Sequence, residues 1–252
     1  MLKIKNVELH GWEPVIRGMR NPKNSWKKSD SKFVTTDGDH HDICGNFGPW
    51  YGSYGWEEAV IGENDLNLMT TLRDAGTDHR KFMRMIVVYM DVTAPLYWWK
   101  EYDTYKVGTV ANSCSTMHKI AEKEFQDDDF SIEHIFDAES EGVEFPIIYG
   151  EEHSPIWSFH MTLKILNFYR EKYLETKDKK YWWQMIQLLP SSYNQRRTIM
   201  LNYEVLANIY KSRRNHKLDE WHTFCDLIES LPYSELITGK KRKSEVNQNG
   251  NP

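Results

Sequence analysis

Hydrophobic and polar positions alternate in clear blocks from residue 64 onward. In ENDLNLMTTLRDAG, the apolar residues Leu66, Met69 and Leu72 recur at helical spacing between a cap-competent Asn64 or Asp65 and Gly76, which predicts a short helix. The run FMRMIVVYMDV (82–92) is rich in large and β-branched apolar residues without a turn signal, as in a largely buried strand. Ala94-Pro95 then sets proline at the first turn of a helix over LYWWKEY. Farther on, Ser154-Pro155 opens a long helix, IWSFHMTLKILNFYREKYLET, with Phe159, Leu163, Leu166 and Phe168 or Tyr169 at intervals of three and four. KKYWWQMIQLL predicts a shorter helix ending at Pro190, residues 195–214 another, and LDEWHTFCDLIESL a last one before Pro232, so the second half reads as helical. By contrast, NPKNSWKKSDSK and DGDHHDICGNFGPWYGSYGW predict long loops over the first sixty residues. KKRKSEVNQNGNP reads as a frayed polar tail rather than a localisation signal.

The chain has 252 residues, 40% of them hydrophobic, enough for one large domain or two small ones. One domain over 1–238 is expected, loop-rich over 1–63, with 239–252 as the tail. A formal net charge of -5 argues against a nucleic-acid-coating surface, because duplex binding depends on neutralising phosphates with Lys and Arg. Cys44, Cys114 and Cys225 are odd in number and widely spaced, which suggests neither a disulfide framework nor a metal knuckle and fits a reducing cytoplasm. No apolar run reaches the roughly 18 residues of a spanning helix, and no signal-peptide core opens the chain, so no membrane partner is expected. Ten tryptophans, some adjacent as in Trp98-Trp99 and Trp182-Trp183, call for partner surfaces or an aromatic-lined pocket.

Three features carry candidate chemistry. Asp37, Asp39, His40, His41 and Asp42 are metal-ligand residue types, but adjacent residues rarely converge on one ion and no second cluster supports them, so no metal is expected. Cys114, four residues before His118, would be a nucleophile only with a base and a lowered pKa; a small buried cysteine is the simpler reading. The stretch YDTYKVGTVANSCSTMHKI is dense in small hydrogen-bonding residues directly behind the apolar run. If 195–214 is one helix, Asn202 and Arg213 return to the same face at about 100° per residue, and an interior Asn needs a reason to be there.

Taken together, these spacings resemble the flavin-dependent thymidylate synthase family. Ala94-Pro95 leads through LYWWKEYDTYK to Asn112 and Ser115, and Leu189-Pro190 leads to the segment bearing Asn202, Asn208 and Arg213; the match spans about residues 64 to 232. The resemblance implies an α/β (α+β) fold with a central mixed sheet and long helices, and a homotetramer with active sites shared between subunits. It also implies bound FAD and reductive methylation of dUMP at C5, with methylene-tetrahydrofolate and NADPH as co-substrates. By the same resemblance, His79, Lys106, Asn202 and Asn208 hold the flavin. Glu101, Asn112, Ser113, Ser115 and Arg213 meet the nucleotide, with Arg213 and Ser115 at the reacting pyrimidine and its phosphate. Where the family carries Arg-His-Arg, this chain has Thr104, Tyr105 and Lys106; Met117 and Ile186 stand where the family has substrate-binding arginines. A non-catalytic nucleotide or flavin binder on the same scaffold is the second reading, and an unrelated helical interaction protein the third.

Overall fold

The computed structural model describes residues 2–33, 54–56 and 59–240. The Asp/His cluster at 37–42, Cys44 and the tail from 241 lie outside the described residues. The described residues group into two compact units, those within Met1–Lys3, Val92–Thr104 and Asn112–Arg197 forming one and those within Ile4–Asp91, Tyr105–Ala111 and Thr198–Pro252 the other.

The main sheet has five strands in the order β3-β1-β5-β9-β6. Its first strand, β1 (Lys3–His10), buries Val7 and Leu9 while Glu8 and His10 stay exposed, the period of two that a half-buried strand requires. β3 (Tyr54–Trp56) runs parallel to it, with Val7 opposite Tyr54 and Leu9 opposite Trp56. In β5 (Val87–Pro95), Val88, Met90, Val92 and Ala94 are all buried. The expected strand over 82–92 therefore starts late: Arg80–Met85 is a 3-10 turn that buries Phe82 and Met83. The expected helix over 195–214 is two elements, β9 (Asn194–Asn202) and α7 (Tyr203–Arg213). Ile199 and Leu201 alternate with exposed Thr198, and Asn202 ends the strand and caps the helix. β6 is Val110–Ser113. Helices are numbered in chain order with this α7.

In the second unit, α1 (Trp12–Arg20) follows β1 and buries Trp12, Val15, Ile16 and Met19, one face of a helix where loops were expected. The ring of Trp12 packs edge-on against Tyr203 and Tyr233, with centroids 5.7 and 5.1 Å away. Two short strands, β2 (Lys32–Phe33) and β4 (Ala59–Val60), pair antiparallel. Helix α2 (Glu63–Asp74) begins after Gly62, and its cap comes from elsewhere in the chain. The Asp30 carboxylate accepts from the amides of Asn64 and Asp65 at 2.9 and 3.1 Å. A Cβ on Gly62 would sit 2.2 Å from the Asp30 carboxyl carbon, so this approach requires glycine. Beneath it the buried Asp65 carboxylate accepts five hydrogen bonds, from Arg20 Nε (2.6 Å), Ser29 Oγ (2.7 Å), Ser31 Oγ (2.6 Å) and the amides of Asp30 and Ser31. Helices α8 (Asp219–Ser230) and α9 (Glu235–Thr238) complete this unit.

The first unit contains α3 (Leu96–Tyr102), which starts one residue after Pro95 and buries Trp98, Trp99 and Tyr102. It also contains α4 (Thr116–Lys119), the short antiparallel pair β7 (Ile147–Ile148) and β8 (Glu151–Glu152), and two long helices, α5 (Pro155–Thr176) and α6 (Lys179–Leu188). α5 starts at Ser154-Pro155 as the sequence suggests, with the Ser154 side chain as its cap, and the Asp178 side chain caps α6. Phe125, Phe130, Phe159, Leu166 and Met185 form this unit's core. Among the described residues, no helix is long and apolar enough to cross a membrane.

Candidate nucleotide site

The polar stretch that follows α3 enters the second unit at Tyr105 and forms a tight turn there, with Thr109 Oγ1 donating to the Tyr105 carbonyl at 2.5 Å. Gly108 makes the turn possible with φ +79; an added Cβ would lie 2.9 Å from Asn202 Nδ2 and 3.3 Å from Val205 Cγ2. Asn202 is buried, and its Oδ1 caps α7 by accepting from the Val205 amide at 3.0 Å. Among the described residues its Nδ2 donates no hydrogen bond. At the other end of α7, Arg213 Nε donates to the Tyr105 hydroxyl at 3.0 Å. The Arg213 guanidinium lies 5.0 Å from the Trp221 ring centroid and 5.7 Å from that of Tyr105. The turn therefore runs along α7 from its cap to its last residue, a helix of about 16 Å.

Lys106 stands exposed on this turn. Glu204, in the first turn of α7, forms ion pairs with Arg84 and, at 3.1 Å, Arg80. Burial pushes its carboxyl up, but the two guanidinium groups outweigh that and hold it below the usual carboxylate range. His79 precedes Arg80 and is exposed, as is Asn208. The structure thus brings Lys106, Asn202 and Arg213 to one strip, although not for the reason the sequence offered. Asn202 is the helix cap rather than an interior helical residue. Among the described residues, no side-chain hydrogen bond ties His79 or Asn208 to that strip.

The remaining expected residues belong to the first unit. Asn112 and Ser113 lie exposed on β6, and Ser115 caps α4 by accepting from the His118 amide at 3.2 Å. Glu101 is half-buried on α3. A set of residues not singled out in the sequence fixes the 112–116 segment. Arg197 Nη1 donates to Asp103 at 2.8 Å and its Nε to Gln195 at 3.0 Å, with its guanidinium 4.2 Å from the Trp99 ring. Gln195 Nε2 in turn donates to the Cys114 carbonyl and to Thr116 Oγ1, each at 3.0 Å. An alternating Gln195-Arg197 pair on a strand would have been the available signal, and reading this segment as helix concealed it. Cys114 is exposed rather than buried. Met117 is exposed, while Ile186 packs against the core. Among the described residues, no group of His, Cys, Asp or Glu could hold a metal ion.

A thymidylate synthase X from Helicobacter pylori, solved with FAD and dUMP, superposes with a TM-score of 0.60 at 13% identity, covering 95% of this chain and 98% of that one. The fold is that of the flavin-dependent thymidylate synthases. A second structure of the Helicobacter pylori enzyme with FAD and dUMP gives a TM-score of 0.58 at 14% identity over 93% and 98% of the two chains. The UMP/dUMP methylase PolB of Streptomyces cacaoi, bound with 5-Br dUMP, gives 0.51 at 13% identity over 91% and 89%. No protein-family profile matches the sequence, and no curated protein matches it.

Proposed function

We propose that this chain is a diverged flavin-dependent enzyme that methylates, or otherwise modifies at C5, a pyrimidine nucleotide such as dUMP. The observation that carries this reading is the turn 105–109 laid along α7, with Gly108 bare above Asn202 and Tyr105 bonded to Arg213. The residues suit FAD: Gly108 lets the turn lie directly against Asn202, and Asn202 Nδ2 and the Lys106 ammonium are donors without partners among the described residues. Asn202 and Lys106, with His79 and Asn208, would hold the cofactor. When bound, reduced flavin supplies the hydride, with methylene-tetrahydrofolate as carbon donor and NADPH as reductant. Arg213, fixed by Tyr105 and Trp221, orients the pyrimidine. On the first unit, Asn112, Ser113 and Ser115 offer hydrogen-bond donors to a nucleotide, and Glu101 an acceptor. Such chemistry needs no protein nucleophile, so Cys114 has no role in it.

A homo-oligomer, a tetramer in the family, acting in the cytoplasm completes this proposal. Trp157, Met161, Ile165 and Phe168 are exposed at helical spacing along α5, an apolar face of the kind that subunits cover. The loss of cations favours a second reading, a binder without turnover. Lys106 is the one cation at positions 104–106, and neither Met117 nor Ile186 can grip a phosphate. Titrating dUMP into the FAD-treated protein and its Arg213→Ala variant tests the site; the proposal expects weaker binding in the variant and fails if affinity is unchanged. Redox turnover of the flavin with nucleotide and folate separates enzyme from binder.

A further inference from the structure

A recess of about 700 Å³ opens in the second unit between the end of α1, the two 3-10 turns that follow it (Asn21–Lys23 and Trp26–Lys28) and the start of α2. Its size lies within the roughly 300–1,000 Å³ of small-molecule clefts. Three cations, Arg20, Lys23 and Lys28, line it together with Asn24, Ser25 and Asn64, and among the described residues no carboxylate does. The carboxylates bonded to its lining residues Arg20 and Asn64 are already engaged. Asp65 is saturated by five donors that include Arg20, and Asp30 caps α2. Arg20 also donates to the Ser25 carbonyl at 3.2 Å, so the wall is braced from within. Lys23 and Lys28 are exposed and have no ion-pair partner among the described residues. Two unpaired ammonium groups in one concave wall raise the local potential for anions, although the whole chain is acidic.

We propose that this recess binds a small phosphate-bearing ligand. Lys23 and Lys28 match the double negative charge of a phosphate ester, and the side chains of Asn24, Ser25 and Asn64 supply neutral donors for its remaining oxygens. A monocarboxylate would leave one ammonium unanswered. A nucleic-acid strand extending beyond the recess would meet a protein whose formal charge is -5. The site is independent of the strip along α7 and needs none of its residues.

The test is calorimetric titration of the full chain with inorganic pyrophosphate at low salt, comparing the wild type with a Lys23→Gln, Lys28→Gln double variant. Binding is expected to weaken at least about tenfold in the variant, because charge-assisted bonds are lost, with the melting temperature unchanged since both lysines are exposed. Equal affinity in the two proteins, or no binding by the wild type, would overturn the proposal. So would a short thymidine oligonucleotide that bound more tightly than pyrophosphate and lost its affinity in the same variant.

Discussion

Replacing Asp65 by Asn should be strongly destabilising. The Asp65 carboxylate is fully buried beside a guanidinium that is only 4% exposed, and each of its oxygens has a defined task. Oδ1 accepts from Arg20; Oδ2 accepts from both serine hydroxyls and from the amides of Asp30 and Ser31. An asparagine must turn its NH₂ toward one of these donor sets, and either orientation leaves Arg20 as a buried charge without a counter-ion. Breaking such a pair costs about 3–5 kcal/mol. For a chain of this size that corresponds to a fall of roughly 6–20 °C in melting temperature. The pH dependence has a fixed sign. Burial pushes the Asp65 carboxyl up, but the bonds from Ser31, Ser29 and Arg20 together outweigh it and lower its pKa in the folded state. The stability it contributes is therefore complete above the ordinary carboxylate range and is lost as pH falls through the lowered folded value. Thermal unfolding followed by circular dichroism across acidic to neutral pH should show a large gap between wild type and variant near neutrality that narrows in acid. A gap below about 2 °C at neutral pH would refute the reasoning.

Three further outcomes follow from the geometry. Gly108→Ala forces a side chain into a left-handed position against Asn202 and should lower stability by about 1–2 kcal/mol and weaken flavin binding; unchanged melting and FAD affinity would count against the turn as described. The Tyr102 hydroxyl is buried without a hydrogen-bond partner among the described residues, so Tyr102→Phe should leave chemical-denaturation stability unchanged or raise it by up to about 1–2 kcal/mol, and a clear loss would contradict this. Burial above all pushes the Cys225 thiol up to about 11, whereas Cys114 is exposed. Alkylation at mildly alkaline pH, read by peptide mass spectrometry, should therefore label Cys114 well before Cys225, and the reverse order would be wrong for this packing.

The elements legible in the sequence were those with strong local signals. Ser154-Pro155 announces α5, KKYWWQMIQLL before Pro190 reads as α6, and Leu66, Met69 and Leu72 mark α2. The errors arose where two periods meet without a turn residue. Between β9 and α7 the chain passes from strand to helix at Asn202 alone, so RRTIMLN and YEVLANIYKSR merge into one apparent helix. The strand is decided by its neighbours β5 and β6, which no local propensity records. At the N-terminus, Val7 and Leu9 alternate as a strand should, and Trp12, Val15, Ile16 and Met19 fall at helical spacing, but the glycine-rich segment beyond drew the whole region toward loop. The site was legible in part. Asn202 and Arg213 stand at the two ends of α7 with Lys106 on the turn beside it, whereas the Asp103-Arg197-Gln195 chain depends on strand pairing and on a side chain ninety-odd residues away, so sequence spacing does not show it.

Flavin binding at the strip along α7 is tested by one spectrum. The freshly purified protein is measured in the visible range, incubated with excess FAD, passed through gel filtration and measured again. Oxidised-flavin bands that co-elute with the protein, and that diminish in an Asn202→Ala variant which still melts cooperatively, are the predicted result. A protein that emerges colourless from saturating FAD would mean that the strip holds no flavin.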